Sequence, residues 1–337
     1  MERTAIQQGV DQLVLSENGV TAGFGSVAQR LIQNGMNINA LRTNDVLRKE
    51  EWLLFDRTVV EVARANLVGV ADLMAAGLRV PIPNAMGVTV VQHETQGDLS
   101  PAQVDMSGLT EGERDRILFG QVNVPLPIVH KEFQISLRNL ESSRRMGMPL
   151  DTSTAAVAAR RVTDMLEDIL FNGVVITAGG GGPIQGYTNY TQRNTGTVTA
   201  SWALATTTGD QIITDVLRMV ADANSDNMYG PFRLYVSVAA YINMLKDLKA
   251  ASDKAIINRI LEIPQITGVK PTTRLTGTTA LLVQFTSDVV EMLDGIQPTT
   301  VMWETHGGML LHFKVIAIMI PRIKSDASGQ SGIVHYS

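Results

Sequence analysis

The chain has 337 residues, of which 45% are hydrophobic and 18% charged, and it carries a formal net charge of −5. That balance supplies a sizeable core and excludes wholesale disorder; at roughly 100–200 residues per domain, the length fits two domains or one large one with extensions. The mild acidity argues against a protein whose main work is gripping a nucleic-acid backbone, and the lack of any cysteine excludes disulfides, thiolate metal sites and cysteine nucleophiles.

Residues 1–50 are rich in Gln, Asn, Gly and small residues, with broken apolar periodicity, and read as an arm that orders against something else. The opening "MERTAIQQGVDQLVLSENG" has no sustained apolar run and is no signal peptide. Over 57–78, Val59, Val60, Ala63, Leu67, Val70 and Leu73 share one helical face, and Pro81 and Pro83 end that helix. Strand-like "GVTVVQHE" and "ILFGQVNVPLPIVHKEFQIS" then flank a polar segment, which predicts a long hairpin-like loop. A loop of that length is functional or mobile.

The clearest helix is predicted over 150–173, capped by Asp151 or Ser153, with Ala155, Ala158, Val162, Met165, Leu166 and Ile169 on one face and Gly173 at its exit. The run "AGGGGPIQGYTN", 178–189, follows. From about 207 the pattern alternates: helix "DQIITDVLRMVADAN", strand "FRLYVSV", helices "AAYINMLKDL" and "DKAIINRILEI", strand "TALLVQF", and two closing strands around "TTVMWETHGGMLLHFKVIAIMI". The most apolar stretch, 307–321, is interrupted by His312 and Lys314 and is shorter than the roughly 20 residues that cross a bilayer, so a soluble protein without membrane contact is expected.

Glycine runs either cradle a phosphate or let backbone pass where no side chain fits. Here a helix precedes the glycines and strand-like sequence follows, the reverse of a phosphate loop, and no GK[ST] is present. Gly179, Gly180, Gly181, Gly182, Pro183 and Gly186 therefore read as a tight backbone junction, with no cofactor. Glu304 and His306 fall two apart on a predicted strand with His312 across a turn, but a metal needs a further good ligand, so no metal site is assigned. The carboxylate pairs Glu50/Glu51, Glu113/Asp115 and Glu167/Asp168 read as solvated faces and ion pairs. "SSRR", 142–145, is a local basic spot; Arg144 and Arg145, with Glu113 and Arg114, are candidates for ion pairs between subunits. Nothing reads as a catalytic constellation, and no enzyme is expected.

Four stretches carry a resemblance: "VPLPIVHKEFQISLRNLESSRRMGMPLD", "VTDMLEDILFNG…GGPIQGYTN", "NMYGPFRLYVSVAAYINMLKD" and "RILEIPQITGVKPTTRL". In that order the chain resembles the major capsid proteins of tailed bacteriophages, the Hong Kong 97-type fold, and especially its encapsulin-like branch. The resemblance implies an α+β fold with an N-terminal arm (1–50), an N-terminal helix region (51–79) and an extended loop lying over a neighbour (80–125). It further implies a peripheral domain (126–206 and 299–337) with spine helix 150–173, and an axial domain (207–298). The glycines become the place where the spine helix hands over to the peripheral sheet.

The implied function is structural: pentamers and hexamers of the chain tile an icosahedral head, assembled in a host cytoplasm and found in the virion. The head encloses double-stranded DNA without sequence-specific binding, with portal and scaffolding proteins and a cement or decoration protein as partners. The alternative is an encapsulin nanocompartment holding an enzyme cargo; the long N-terminal arm favours the virus. Some relatives cross-link through a lysine in the extended loop, but none occurs between Glu51 and His130, so no such cross-link is expected. Only about 50 residues precede the first strong helix, so scaffolding is expected from a separate protein.

Overall fold

The structure is a computed structural model; it describes residues 49–96, 106, 119–145, 152–176, 182–248, 254–326 and 329–337. The chain opens on α1 (Lys49–Asn66), whose residues Trp52, Phe55, Val59 and Ala63 recur every three or four positions and are buried. It thus starts eight residues before the predicted helix, because "EWLLF" already supplies an apolar face. It also stops earlier: a separate α2 (Gly69–Ala75) follows. The predicted arm contributes only Lys49 and Glu50 to the described residues.

Next come β1 (Arg79–Pro81), the antiparallel ribbon β2 (Val90–Gln96) and β3 (Phe119–Pro125), β4 (Val129–Ser136) and α3 (Leu137–Arg145). The second predicted extended run is therefore two strands, divided at Leu126–Ile128. The long helix α4 (Ser153–Asn172) has Thr152 at its N-cap without a side-chain bond, so Ser153 is the first helical residue rather than the cap, and Asp151 lies outside the described residues. Ala155, Ala158, Val162, Leu166 and Ile169 are buried as predicted, but Met165 is 37% exposed, one position off the stripe. Short β5 (Val174–Val175), β6 (Pro183–Ile184) and β7 (Asn194–Gly196) lead to α5 (Gly209–Ser225), closed by a reciprocal Thr208–Gln211 capping box. Then follow β8 (Phe232–Ser237), α6 (Val238–Met244), α7 (Ile256–Leu261), β9 (Ile266–Thr272), β10 (Ala280–Gln284), β11 (Val290–Thr305), β12 (Leu310–Ile323) and β13 (Ile333–Tyr336).

Two sheets organise these elements. One has the order β1-β11-β12-β4, with β1 parallel to β11 and the rest antiparallel; the other is mixed, β7-β13-β10-β8-β9. The first sheet lays Val315, Ala317 and Met319 against Ala158, Val162 and Leu166 of α4. Its reverse face buries Ile318 and Ile320 with Ile82, Leu126 and Ile184, the cluster beneath the root of the ribbon. The second sheet is covered on one face by α5 to α7, through Ile212, Val216, Met219 and Ile260. Its other face turns Tyr235, Leu281 and Val283 into the α4 core. Strands covered on both faces read as continuous apolar runs, as "ALLV" in β10 does. The structure puts β7 and β13 in this second sheet, although both lie outside the 207–298 range assigned above to the axial domain.

Candidate functional site

The end of α4 and the strand that follows the glycines cross at backbone distance. Gly173 has φ +69°, and a Cβ there would meet the Ile184 carbonyl oxygen at 2.3 Å. A Cβ on Gly186 would meet the Gly173 nitrogen at 2.4 Å and Phe171 backbone at 2.8 Å. Neither neighbour is a flexible side-chain end, so both positions admit only glycine. The crossing also satisfies the helix end, because Tyr187 N–H donates to Leu170 C=O (3.0 Å) and Thr188 N–H to Phe171 C=O (2.8 Å). Asn189 Oδ1 accepts from Gly186 N–H at 2.6 Å and closes the turn. Among the other predicted junction residues, Gly182 sits in open space and Pro183 pairs with Val175, while Gly179, Gly180 and Gly181 lie outside the described residues. Gly182 leads into β6, not into a helix N-terminus.

Glu167, expected on a solvated face, is 3% exposed. Its Oε1 accepts from Val68 N–H (2.7 Å) and Val70 N–H (3.0 Å), and its Oε2 from Gly69 N–H (3.2 Å). One carboxyl on α4 thus receives the orphan donors at the start of α2, where a helix interrupted at Leu67 and Val68 restarts. Gly69 belongs to the same contact, since a Cβ there would meet Leu170 Cδ2 at 2.8 Å. Burial raises the Glu167 pKa against the three N–H bonds that favour its ionised form. From α2, Asp72 pairs with Arg233 (2.6 Å) and accepts from Tyr235 OH (3.1 Å), which ties α2 to the second sheet. A signal for Glu167 was present in the sequence: it falls on the apolar stripe of α4, between Leu166 and Leu170.

Arg144, a candidate for pairing between subunits, is bound inside the chain. Its Nε and Nη2 reach Glu51 at 2.8 and 2.5 Å, and its Nη1 reaches Glu141 at 2.5 Å. Those hydrogen bonds hold the guanidinium pKa above its usual value. Arg145 is exposed, and Glu113 and Arg114 lie outside the described residues.

The histidines do not converge. His306 has φ +53° in the turn after β11, which breaks the strand alternation that would align it with Glu304. His312 stacks on Trp303 (5.3 Å, 8°) and bonds Thr305 Oγ1 at 2.7 Å. His335 accepts from Arg193 Nε at 3.3 Å. Among the described residues no group of three or more His, Asp or Glu side chains is arranged to hold a metal, and none of their helices is long and apolar enough to cross a membrane. His93 lies midway along the ribbon, beside a cavity of about 450 Å³ also lined by Val124, Ile184, Gln192 and Lys324. There Glu291 binds both Arg322 and Lys324, the latter at 2.7 Å. What these features do is physical: they lock helix to sheet and tie β11 to the end of β12.

Comparisons with known proteins agree with that architecture. The type 1 encapsulin shell protein EncA of Myxococcus xanthus (strain DK1622) is 28% identical over 249 residues, 70% of this chain and 76% of that protein. The diheme-cytochrome-encapsulin shell fusion protein of Kuenenia stuttgartiensis is 29% identical over 195 residues, 58% of this chain and 49% of that one. Among solved structures, a virus-like particle from Pyrococcus furiosus superposes with a TM-score of 0.62 at 16% identity, over 86% of this chain and 99% of that one. The capsid of Myoviridae phage XM1 gives 0.61 at 12% identity, over 78% and 90%. The chain has the α+β, Hong Kong 97-type fold common to phage capsids and encapsulin shells. A family model matches residues 39–336, and the chain belongs to that family, the Family of unknown function (DUF6260).

Proposed function

We propose that the chain is the repeating subunit of a closed protein shell of the encapsulin kind, built from many copies around an enzyme cargo. The observation that carries this is the alignment of 70% of the chain with an encapsulin shell protein. It reverses the ranking from sequence, which put the DNA-filled phage head first. The exposed side chains support self-association: Val238, Ile242 and Leu245 form an i, i+4, i+7 stripe along and just past α6, 43%, 59% and 52% exposed. In this reading the ribbon β2–β3 lies over a neighbouring subunit. The axial unit takes in β7 and β13 beside residues 207–285, and the peripheral unit is the first sheet with α4.

A phage head is the second reading, favoured by the likeness to the phage XM1 capsid. In that case double-stranded DNA, portal and scaffolding proteins and a cement protein would be its partners. Electron microscopy of the chain expressed alone and of particles from its native source tests both. Closed shells with protein inside support the compartment, shells with nuclease-protected DNA support the head, and monomers or dimers in both preparations would discard the shell.

A further inference from the structure

We propose that His93 is a protonation latch midway along the β2–β3 ribbon: the ribbon stays seated beside the end of β12 while the ring is neutral and is released when the ring is charged. The geometry is a cation cluster with too few anions. Arg322 from β12 and Lys324 just after it share a single carboxylate, Glu291 of β11, both through Oε2. Lys324 spends a further donor on Ser287 C=O at 2.8 Å. His93 comes from the ribbon onto the cavity wall that Lys324 also lines, and the cations there outweigh Glu291 in their effect on it. A charged imidazole would add a cation to the wall that already holds Lys324.

The remaining described residues on the cavity wall do not offset it. Across the ribbon, Val122 and Asn123 are uncharged, as are Gly182 to Gln185 on the β6 side of the cavity. Asp326, the one carboxylate among the described residues lining the cavity, accepts from Gln330 N–H at 2.7 Å. Nδ1 of His93 is buried without a hydrogen-bond partner, so no acceptor stands ready for a second ring proton. The cavity of about 450 Å³ beside the ring leaves the ribbon room to lift.

The sign follows from linkage. Burial, then Arg322 and Lys324, lower the His93 pKa in the docked ribbon below its ordinary 6.5. The released ribbon therefore binds the proton more readily than the docked one. Docking is at full strength above about pH 6.5 and weakens as pH falls towards the lowered pKa. Each unit by which docking lowers that pKa permits up to about a tenfold rise in the open fraction. The latch is a property of the single chain and does not depend on shell formation, so its failure would leave the shell reading untouched.

The test is amide hydrogen exchange on the full-length chain from pH 7.5 to 5, corrected for intrinsic rates, read at residues 90–96 and 119–125. Exchange there should accelerate several-fold at the acid end, ahead of α4. H93Q should abolish that rise and K324Q should shrink it, while H335Q should leave it in place. Equal acceleration in wild type and H93Q, or ribbon protection unchanged across the range, would overturn the latch. Should H93Q misfold, K324Q decides alone: an undiminished rise would overturn the proposal.

Discussion

Single residues at the α4 crossing carry more of the fold than their size suggests. G186A places a methyl 2.4 Å from backbone that cannot move without unseating the helix end, and overpacking of this kind costs about 2–3 kcal/mol. G182A, in open space, should change stability by less than about 0.5 kcal/mol. Chemical denaturation of the two variants distinguishes a true crossing from a merely glycine-rich stretch. Glu167 separates charge from acceptor geometry in the same way. Its raised pKa means that ionisation is opposed by burial, so its contribution to stability declines as pH rises above the usual carboxyl value. E167Q keeps an oxygen for Val68 and Val70 and should lie within about 1 kcal/mol of wild type at pH 7. E167A orphans three donors and should cost about 2–4 kcal/mol. Equal losses for both would mean that the charge, not the acceptor, holds α2.

Among the elements, α1 and α3 share an apolar cluster with Leu140 and also meet in an ion pair through Arg144. Its fork on Glu51 is bidentate and mostly covered, with side-chain exposures of 15% and 14%, whereas Glu141 is 59% exposed. A double-mutant cycle on Arg144 and Glu51 should give a coupling of about 1–2 kcal/mol, and E141A should change stability by less than about 0.5 kcal/mol. A coupling near zero would mean that Trp52, Phe55 and Phe313 hold the two helices on the sheet without help. Elements were legible in the sequence where periodicity is local. The stripe of α4, the ribbon strands and the body of α5 could all be read, although the Thr208–Gln211 box that starts α5 was not singled out. The break at Leu67 and Val68 could not, because its cause is a carboxyl about a hundred positions away. Nor could the Gly173–Gly186 contact be derived from the glycine run: both residues stood out, but their apposition is a matter of three-dimensional path. Strands β7 and β13 are three and four residues long, too short for a pattern to register.

For the whole molecule, pH response follows from groups buried in one protonation state. The half-buried His335 has its pKa lowered by burial and then by Arg193. Stability should be full above about pH 6.5 and fall as pH drops through the imidazole range, with Glu167 opposing the loss at lower pH. On the alkaline side, burial lifts the Tyr187 and Tyr235 phenols, and burial with Asp222 lifts Tyr336 to about 12. The folded state therefore loses stability as pH rises above about 10. Thermal unfolding across pH should trace a plateau bounded on both sides, and H335Q should lift the acid limb. An acid limb identical in H335Q would assign it to other groups.

The strand order of the second sheet bears on how the chain is made. β8, β9 and β10 can pair as soon as residue 284 has left the ribosome, but β7, translated before them, has no neighbour until residues 333–336 arrive to fill the slot between β7 and β10. While β11 and β12 are being translated, the nascent chain presents the free edge of β10, a strand whose five residues are all buried in the finished fold. Such an edge invites pairing with a neighbouring nascent chain. On a polysome, where nascent copies of one chain lie side by side, that interval is the hazard, and the arrival of Ile333–Tyr336 ends it.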